Sequence, residues 1–337
     1  MNLYFCATNL QIMTHLERIK HPITEELDRY KALFDRTLFH SDALLGSALE
    51  HIRQRSGKMM RPMLVLLSAK AVGRVEEATL HAAVAVELLH TASLVHDDVV
   101  DESDERRGQA STNAVYGSKV AVLVGDYLLS TVLAEAGATR DLRIIERITG
   151  LGRSLAEGEI DQLTNIRNET VSEEAYYRII GRKTGTLFAT SAELGALSAG
   201  AESDAMERMR TFGELVGACF QIRDDIFDYV SDASVIGKPV GNDMLEGKLT
   251  LPVIYALRET ADAAMMELAQ RVKKRCVTQE EISRLVDFTV QNGGIAYAER
   301  QMELYRSRGR ELLAALPPSD VRTSLSEYMD FVIDREQ

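Results

Sequence analysis

Proline is absent from the middle of the sequence. The chain has six prolines in 337 residues, and none of them falls between Met63 and Lys238. Proline breaks helices, whereas Ala, Leu, Glu and Arg, which are plentiful in this stretch, favour them. Glycines fall mostly at breaks between stretches of helical apolar periodicity. The sequence therefore predicts an all-α fold.

Cysteine is also scarce. Cys6, Cys219 and Cys276 are widely spaced and odd in number. This pattern indicates neither a disulfide framework nor a zinc site and is typical of a reducing, cytoplasmic setting. Cys219 lies in an apolar run and is interpreted as a small core residue.

The sequence also lacks an excess of positive charge and long apolar runs. The formal net charge of −12 argues against a nucleic acid or an anionic membrane surface as the main partner. No stretch reaches eighteen consecutive apolar residues, so no integral membrane segment is predicted. Residues 1–12 have no basic region and make a poor signal peptide, and we interpret them as a flexible extension before a single domain at 13–337.

Helical periodicity runs through that domain without a linker or a change of composition. The stretch Ala82–Val95 is apolar nearly all round, which places its helix at the centre of a helical bundle. The predicted helices are 14–34, 40–55, 61–72, 76–102, 118–137, 141–168, 172–199, 204–232, 250–259, 261–275, 278–291, 294–315 and 319–335.

One acidic pattern occurs twice in this helical sequence. Asp97-Asp98-Val99-Val100-Asp101 and Asp224-Asp225-Ile226-Phe227-Asp228 begin 127 residues apart, each at the end of an apolar run. On a helix, the first and last Asp of each copy share one face. Two such faces turned toward each other would offer the oxygen ligands that Mg²⁺ prefers, together with phosphate oxygens of a substrate. The alternative is that each cluster is a solvated helix end, which explains a single cluster better than two with the same spacing.

Cations that suit phosphate groups lie near these motifs. Gly57-Lys58-Met59-Met60-Arg61-Pro62 places Lys58 and Arg61 at the start of a helix, where free N–H groups attract anions. His90 lies two turns before Asp97 on roughly the same face. Any one of these side chains alone is more often a solvated or core residue. The other candidate donors are Arg106, Arg107, Lys183, Thr184, Gln221, Lys238 and Lys248.

Together these motifs resemble the trans-type polyprenyl diphosphate synthases. The resemblance runs from about residue 15 to 335, with the motifs in the family's order. The matching segments are Gly57–Pro62, His90–Asp101, Glu102–Gly108, Glu157–Glu159, Gly181–Thr184, Phe220–Asp228, Gly237–Lys238 and Gly247–Lys248. A mild departure is Met59, where the family commonly has a basic residue or Gln.

The resemblance implies an all-α bundle of the isoprenoid synthase type with a central cavity, usually a homodimer. It implies condensation of an allylic diphosphate with isopentenyl diphosphate, with three Mg²⁺ ions in each active site. The implied metal ligands are Asp97, Asp101 and Asp224. The implied catalytic residues are Asp97, Asp98, Asp101, Lys183, Asp224 and Asp225. Arg106, Lys183, Thr184, Gln221, Lys238 and Lys248 would hold the allylic diphosphate, and Lys58, Arg61, His90 and Arg107 the isopentenyl diphosphate.

Two small residues bear on the length of the product. Ala92 lies about 7.5 Å below Asp97 along the helix, and Ser93 lies just above Ala92. In the resembled family a bulky aromatic at these positions closes the pocket after short chains. Ala92 and Ser93 therefore imply a long all-trans product, as in bacterial octaprenyl-type enzymes that make quinone side chains.

Four other interpretations remain open. The first is a short-chain farnesyl or geranylgeranyl diphosphate synthase, and the second is a terpene cyclase or head-to-head synthase. The third is a non-catalytic synthase subunit, and the fourth is a helical scaffold. A cyclase is not expected to combine Lys58 and Arg61 with two complete acidic motifs. Non-catalytic subunits typically lose Asp residues from one motif, and a scaffold leaves the repeated pattern unexplained.

Overall fold

A computed structural model describes residues 14–54, 57–106, 108–167, 171–230 and 240–335. These residues are almost entirely helical. The helices of the first half are α1 (His15–Lys20), α2 (Thr24–Thr37), α3 (Ala43–Arg53), α4 (Met60–Val72), α5 (Glu77–Val100), α6 (Thr112–Tyr116), α7 (Ser118–Ala138) and α8 (Leu142–Arg167). A 3₁₀ turn, His21–Ile23, joins α1 to α2.

The second half continues the helical pattern. Its helices are α9 (Glu173–Ile180), α10 (Thr186–Ser198), α11 (Ser203–Val230), α12 (Asn242–Leu245), α13 (Leu251–Thr260), α14 (Ala263–Lys273), α15 (Gln279–Gln291), α16 (Gly294–Ala314) and α17 (Asp320–Asp334). Between α9 and α10 lies a five-residue π-helix, Gly181–Gly185. A hairpin pairs β1 (Glu105–Arg106) with β2 (Gln109–Ala110). The predicted all-α fold is confirmed.

The chain divides into two compact units, each made of separate segments. The first unit contains residues 1–153, 187–213 and 313–328. The second contains residues 154–186, 214–312 and 329–337. The predicted domain limits, 1–12 and 13–337, stay predictions, and residues 1–12 lie outside the described part of the chain.

The first unit is built around α5. This helix begins at a capping box formed by Glu76 and Thr79, and its residues from Leu80 to Leu89 are almost all buried. An all-round apolar surface belongs in the core, as the sequence predicts for Ala82–Val95. Close packing is visible where α10 meets α4, because a Cβ on Gly195 would lie 2.2 Å from the carbonyl oxygen of Val65.

The second unit has a core of its own. Tyr229, Val253, Leu257, Leu268 and Ile282 are among its buried members. They come from four different helices, so burying these apolar side chains holds those helices together.

The π-helix corrects a predicted boundary. The sequence predicts one helix over 172–199, but the structure inserts Gly181–Gly185 between α9 and α10. Helix α11 crosses this segment closely, since a Cβ on Gly217 would lie 2.8 Å from the Cα of Gly185. Two glycines thus allow two backbones to approach where π-helical geometry widens the turn.

Among the described residues, two helices are long and apolar enough to cross a membrane by length and composition alone. They are α5 and α7, whose most apolar windows are 61% and 33% buried. The core helix of a globular protein passes the same test, so the two helices do not indicate membrane spanning.

Candidate active site

The first acidic motif lies at the C-terminal end of α5. Asp97 is half-buried in the last turn, and the exposed Asp101 caps the helix, donating its backbone N–H to the carbonyl oxygen of Asp97 at 2.8 Å. A helix C-terminus carries partial negative charge. Two accessible carboxylates at such an end attract a cation strongly.

The middle residue of this motif has a different environment. Asp98 is 2% exposed. Its Oδ1 accepts a hydrogen bond from Nε of Arg106 at 2.6 Å. The hairpin, whose turn has Gly108 at φ +75°, brings Arg106 back to the helix. Two residues predicted to act on substrate therefore form an ion pair here.

A cavity of about 250 Å³ lies beside the motif within the first unit. Apolar side chains such as Phe34, Ile52 and Leu94 line part of it. The polar lining residues are Lys31, Asp35, Arg53, Glu87, His90, Thr91, Asp98, Arg106 and Thr112. The structure thus brings the predicted residues His90, Asp98 and Arg106 to one cavity. Lys31 and Arg53 were not predicted, because they lie in ordinary amphipathic helices without a motif.

The predicted phosphate cradle precedes α4. Met59 has a left-handed backbone, φ +55°, and the helix starts at Met60. Lys58 is exposed, and its neighbours Gly57 and Met59 line the cavity. This places Lys58 at the cavity rim.

Arg61, in the first turn of α4, is largely buried. Its NH1 lies 3.7 Å from Oε2 of Glu87, which is too long for a hydrogen bond. Its guanidinium carbon lies 5.6 Å from the ring centre of Phe188. Glu87 was not predicted, although its spacing of three residues from His90 puts both on one face of α5.

The two residues predicted to set chain length differ in exposure. Ala92 has no exposed surface, and Ser93 is half-buried with its hydroxyl donated to the carbonyl oxygen of His90 at 2.8 Å. Neither is among the residues that line the cavity, where Thr91 and Leu94 are found. Their role in product length stays a prediction.

The second acidic motif lies in the last turns of α11, in the second unit. Oδ1 of Asp224 accepts a hydrogen bond from Arg335 NH2 at 2.5 Å. The Arg335 guanidinium also stacks on Phe220, 3.9 Å from the ring centre. Arg223 Nε donates to the carbonyl oxygen of Arg335 at 3.0 Å, which holds Arg335 beside the motif. Arg335 belongs to no motif in the sequence and was not predicted.

Asp225 repeats the pattern of Asp98, since the middle carboxylate is again buried, at 3% exposure. Its Oδ2 accepts a hydrogen bond from the Tyr176 hydroxyl at 2.6 Å, and its Oδ1 accepts one from Gln221 Nε2 at 2.9 Å. Burial raises the pKa of Asp225, and the nearby charge of Asp243 raises it further, while these two hydrogen bonds oppose the shift.

Asp228 closes the second motif. Its carboxylate accepts the backbone N–H groups of Asn242 and Asp243, at 2.9 and 3.0 Å, and so caps the start of α12. Burial, with the charge of Asp243 second, raises the pKa of Asp228 to about 6.

The π-helix carries the next two predicted residues. Lys183 Nζ lies 2.5 Å from Oε2 of Glu159, and the Thr184 hydroxyl donates to Oε1 of Gln221 at 2.8 Å. Its neighbour Arg182 pairs with Asp161 at 2.7 Å. Helix α8 therefore holds one side of the π-helix through two ion pairs.

Of the remaining predicted cations, the structure describes only Lys248. Lys248 follows α12 and donates to Oε2 of Glu246 at 2.5 Å. Arg107 and Lys238 lie outside the described residues.

The donor set suits a hard divalent cation. Asp97, Asp101 and Asp224 offer carboxylate oxygens at or near helix C-termini, which matches the preference of Mg²⁺. Within the described ranges, no three His, Cys, Asp or Glu side chains form a ready metal cluster. A metal ion would therefore also take oxygens from water or phosphate. That the two motifs share one site stays a prediction.

Comparison with known proteins agrees with this arrangement. Residues 42–289 match the Polyprenyl synthetase family. An octaprenyl diphosphate synthase of Haemophilus influenzae is 32% identical over 87% of this chain and 88% of its own. The geranylgeranyl pyrophosphate synthase structure from Bacteroides thetaiotaomicron has a TM-score of 0.85 and 49% identity, covering 96% of this chain and 100% of that one. A polyprenyl synthase from Caulobacter crescentus, complexed with calcium and isoprenyl diphosphate, has a TM-score of 0.88 and 30% identity, covering 96% and 98%.

The chain belongs to the polyprenyl synthetase family. The predicted family, the isoprenoid synthase type of fold and the identification as a prenyltransferase are confirmed. Use of a divalent metal ion is a property of this family.

Proposed function

We propose that this enzyme condenses isopentenyl diphosphate with an allylic diphosphate to make a long-chain, all-trans polyprenyl diphosphate, which serves for quinone side chains. The observation that carries the proposal is the division within each acidic motif. The middle Asp of each motif is buried, whereas Asp97, Asp101 and Asp224, the last of which also pairs with Arg335, stay partly or fully accessible near helix C-termini. Such an arrangement suits the binding of a metal diphosphate.

Three Mg²⁺ ions, when bound, would supply positive charge to the diphosphate that leaves the allylic carbon. Asp97, Asp101 and Asp224 are their proposed ligands. The positive side chains of Arg106, Lys183 and Lys248, with Lys238, would bind the same diphosphate, beside Thr184 and Gln221, whose amide has a second N–H to donate. Because the leaving group gains charge in the transition state, these contacts strengthen as the bond breaks.

The second substrate needs a separate set of cations. Lys58 at the cavity rim, Arg61 and His90 are proposed to hold isopentenyl diphosphate, together with Arg107. Apolar lining such as Phe34 and Leu94 would keep water from the allylic cation while the isopentenyl double bond attacks it. The released diphosphate is the proposed acceptor of the final proton.

The length of the product has two candidate answers. Small side chains at Ala92 and Ser93 favour a long chain, and each further isoprene unit adds apolar surface whose burial is favourable. Geranylgeranyl diphosphate is the second candidate, because a synthase of that product is 49% identical to this chain.

We further propose a cytoplasmic homodimer that uses the exposed apolar face of α7. Val122, Leu123 and Leu133 on this helix are 40%, 67% and 62% exposed. Large apolar side chains that share an exposed helix face are typical of subunit contacts. Sedimentation at enzyme-assay concentration tests this assembly.

Incubation with labelled isopentenyl diphosphate, farnesyl diphosphate and Mg²⁺, followed by chromatography, tests the reaction. Products longer than geranylgeranyl diphosphate support the long-chain proposal. A product that stops at geranylgeranyl diphosphate supports the second candidate. No condensation with any allylic primer would overturn the proposed function.

A further inference from the structure

A chain of three hydrogen bonds links α9 to the π-helix through the second acidic motif. The Tyr176 hydroxyl donates to Asp225 at 2.6 Å, Gln221 donates to the other oxygen of Asp225 at 2.9 Å, and Thr184 donates to the Gln221 carbonyl at 2.8 Å. Both carboxylate oxygens of Asp225 and both polar ends of Gln221 thus take part. The hydroxyl of Tyr176 stands at the start of the chain.

This series of hydrogen bonds is buried at its Tyr176 end. Tyr176 and Asp225 are 6% and 3% exposed. A buried carboxylate that loses one of its donors keeps its desolvation cost, so the remaining contacts rearrange. Removing the Tyr176 hydroxyl therefore changes the hydrogen bonds of Asp225 and, through Gln221, those of Thr184.

The other end of this series of hydrogen bonds is Thr184 in the π-helix, the segment proposed to bind the allylic diphosphate. Lys183 is held on its other side by Glu159, and a Cβ on Gly217 would already meet the Cα of Gly185 at 2.8 Å. The π-helix is therefore fixed on both sides, and its register depends on these side-chain contacts. A shift of about 1 Å in such a segment is enough to weaken substrate binding and catalysis.

We propose that Tyr176 is a positioning residue that holds Gln221 and Thr184 in place for the allylic diphosphate. The inference rests on the proposed function. Tyr176 itself touches no reacting atom in this scheme. Its hydroxyl acts through the buried Asp225, which makes Asp225 a support rather than a metal ligand.

The test compares Tyr176→Phe with Tyr177→Phe. Both variants lose one phenolic oxygen, and the two rings are neighbours, 5.3 Å between centres, but only the Tyr176 hydroxyl is in the chain. For Tyr176→Phe we expect the KM for farnesyl diphosphate to rise about tenfold, as loss of a buried hydrogen bond allows, with the KM for isopentenyl diphosphate unchanged. Calorimetry of inorganic diphosphate with Mg²⁺ should show a similar loss of affinity. Tyr177→Phe should leave all three values at the wild-type level.

Asp225→Leu is the second variant, in case Tyr176→Phe is poorly folded. Leucine has a similar size but offers no acceptor to Tyr176 or Gln221, so the same selective rise for the allylic substrate is expected. An unchanged KM for farnesyl diphosphate in both variants, or an equal rise for both substrates, would overturn the inference. Absence of condensation by the wild-type enzyme would instead overturn the proposed function, so the two failures are distinguishable.

Discussion

At the scale of single residues, the two acidic motifs contain carboxylates of two kinds. Asp98 and Asp225 are buried and accept hydrogen bonds from Arg106, Tyr176 and Gln221. Asp97 and Asp101 remain accessible at the end of a helix. The repeated pattern therefore combines binding and support in five residues.

Replacing Asp97 and Asp98 in turn separates these tasks. Asp97→Ala should abolish most turnover and leave thermal stability equal or higher, because it removes charge from a negative helix end. Asp98→Ala should lower the free energy of unfolding by about 1–3 kcal/mol, since Arg106 loses its partner. Activity at limiting Mg²⁺ and thermal melting measure the two effects. Near wild-type turnover of Asp97→Ala would contradict its assignment as a metal ligand.

The cations should divide by substrate. Lys58→Ala is expected to raise mainly the KM for isopentenyl diphosphate. Lys183→Ala should affect the allylic substrate and kcat, because the leaving group gains charge in the transition state. Steady-state kinetics with each substrate varied makes the comparison. The same kinetic pattern in both variants would show that the division is wrong.

Product length should respond to a bulky residue at position 93. Ser93 is half-buried, whereas Ala92 has no exposed surface, so a ring is easier to place at 93. Ser93→Phe should shorten the product to about three or four isoprene units, because dense packing prevents the helix from moving aside. Chromatography of the products provides the measurement, with Ser93→Ala as the control. Unchanged products would remove Ser93 from the chain-length determinants.

At the scale of elements, the π-helix and its crossing with α11 are the least ordinary part of the structure. Gly217→Ala would place a Cβ 2.8 Å from Gly185 Cα, whereas Gly150→Ala in α8 would meet nothing within 4 Å. We expect Gly217→Ala to destabilise the protein by about 1–3 kcal/mol and to lower kcat. The control Gly150→Ala should stabilise it by about 0.5–1 kcal/mol. Denaturant unfolding of both variants checks these signs, and a harmless Gly217→Ala would show that the crossing tolerates a methyl group.

Elements were predictable from the sequence to different degrees. The long helices α5, α8 and α11 follow from apolar periodicity and lie within a few residues of their predicted limits. The π-helix was not predictable, because one widened turn hardly changes a periodic pattern, and the predicted helix 172–199 runs straight through it. The hairpin at Arg106 is too short to give an alternating pattern.

Contacts between residues distant in sequence were not predictable either. Arg335 lies 111 residues from Asp224. Tyr176 lies 49 residues from Asp225. No local spacing relates these residues, so their pairing depends on the tertiary fold. The candidate site was found because its acidic motifs are local, and its supports were missed because they are not.

At the scale of the whole molecule, the charge of −12 is accompanied by carboxyls that the fold makes less acidic. The pKa of Asp228 rises from 3.8 to about 6, and that of Asp225 is also raised. A group with a higher pKa in the folded state binds its proton more tightly there, so it favours folding at low pH. This contribution is complete below about pH 4 and is lost as pH rises through about 6.

Metal-free enzyme should therefore melt at a higher temperature at pH 5.5 than at pH 7.5, by a few degrees. The comparison is Asp228→Asn, which removes the titrating carboxyl and should reduce the difference between the two pH values. Calorimetric melting of both proteins in the presence of chelator gives the result. A wild-type protein that is equally stable at both pH values would contradict the raised pKa.

The first unit combines segments that lie far apart in the sequence, which limits how early in synthesis the unit can fold. Residues 313–328 belong to that unit together with residues 1–153, and the hydroxyl of Tyr328 donates to the carbonyl oxygen of Met60 at 2.8 Å. The amino end is synthesised first, so the unit stays incomplete until residues 313–328 have been synthesised. During that interval the Met60 carbonyl at the start of α4 lacks its hydrogen bond from Tyr328, and a chain that stops before residue 313 cannot complete its first unit.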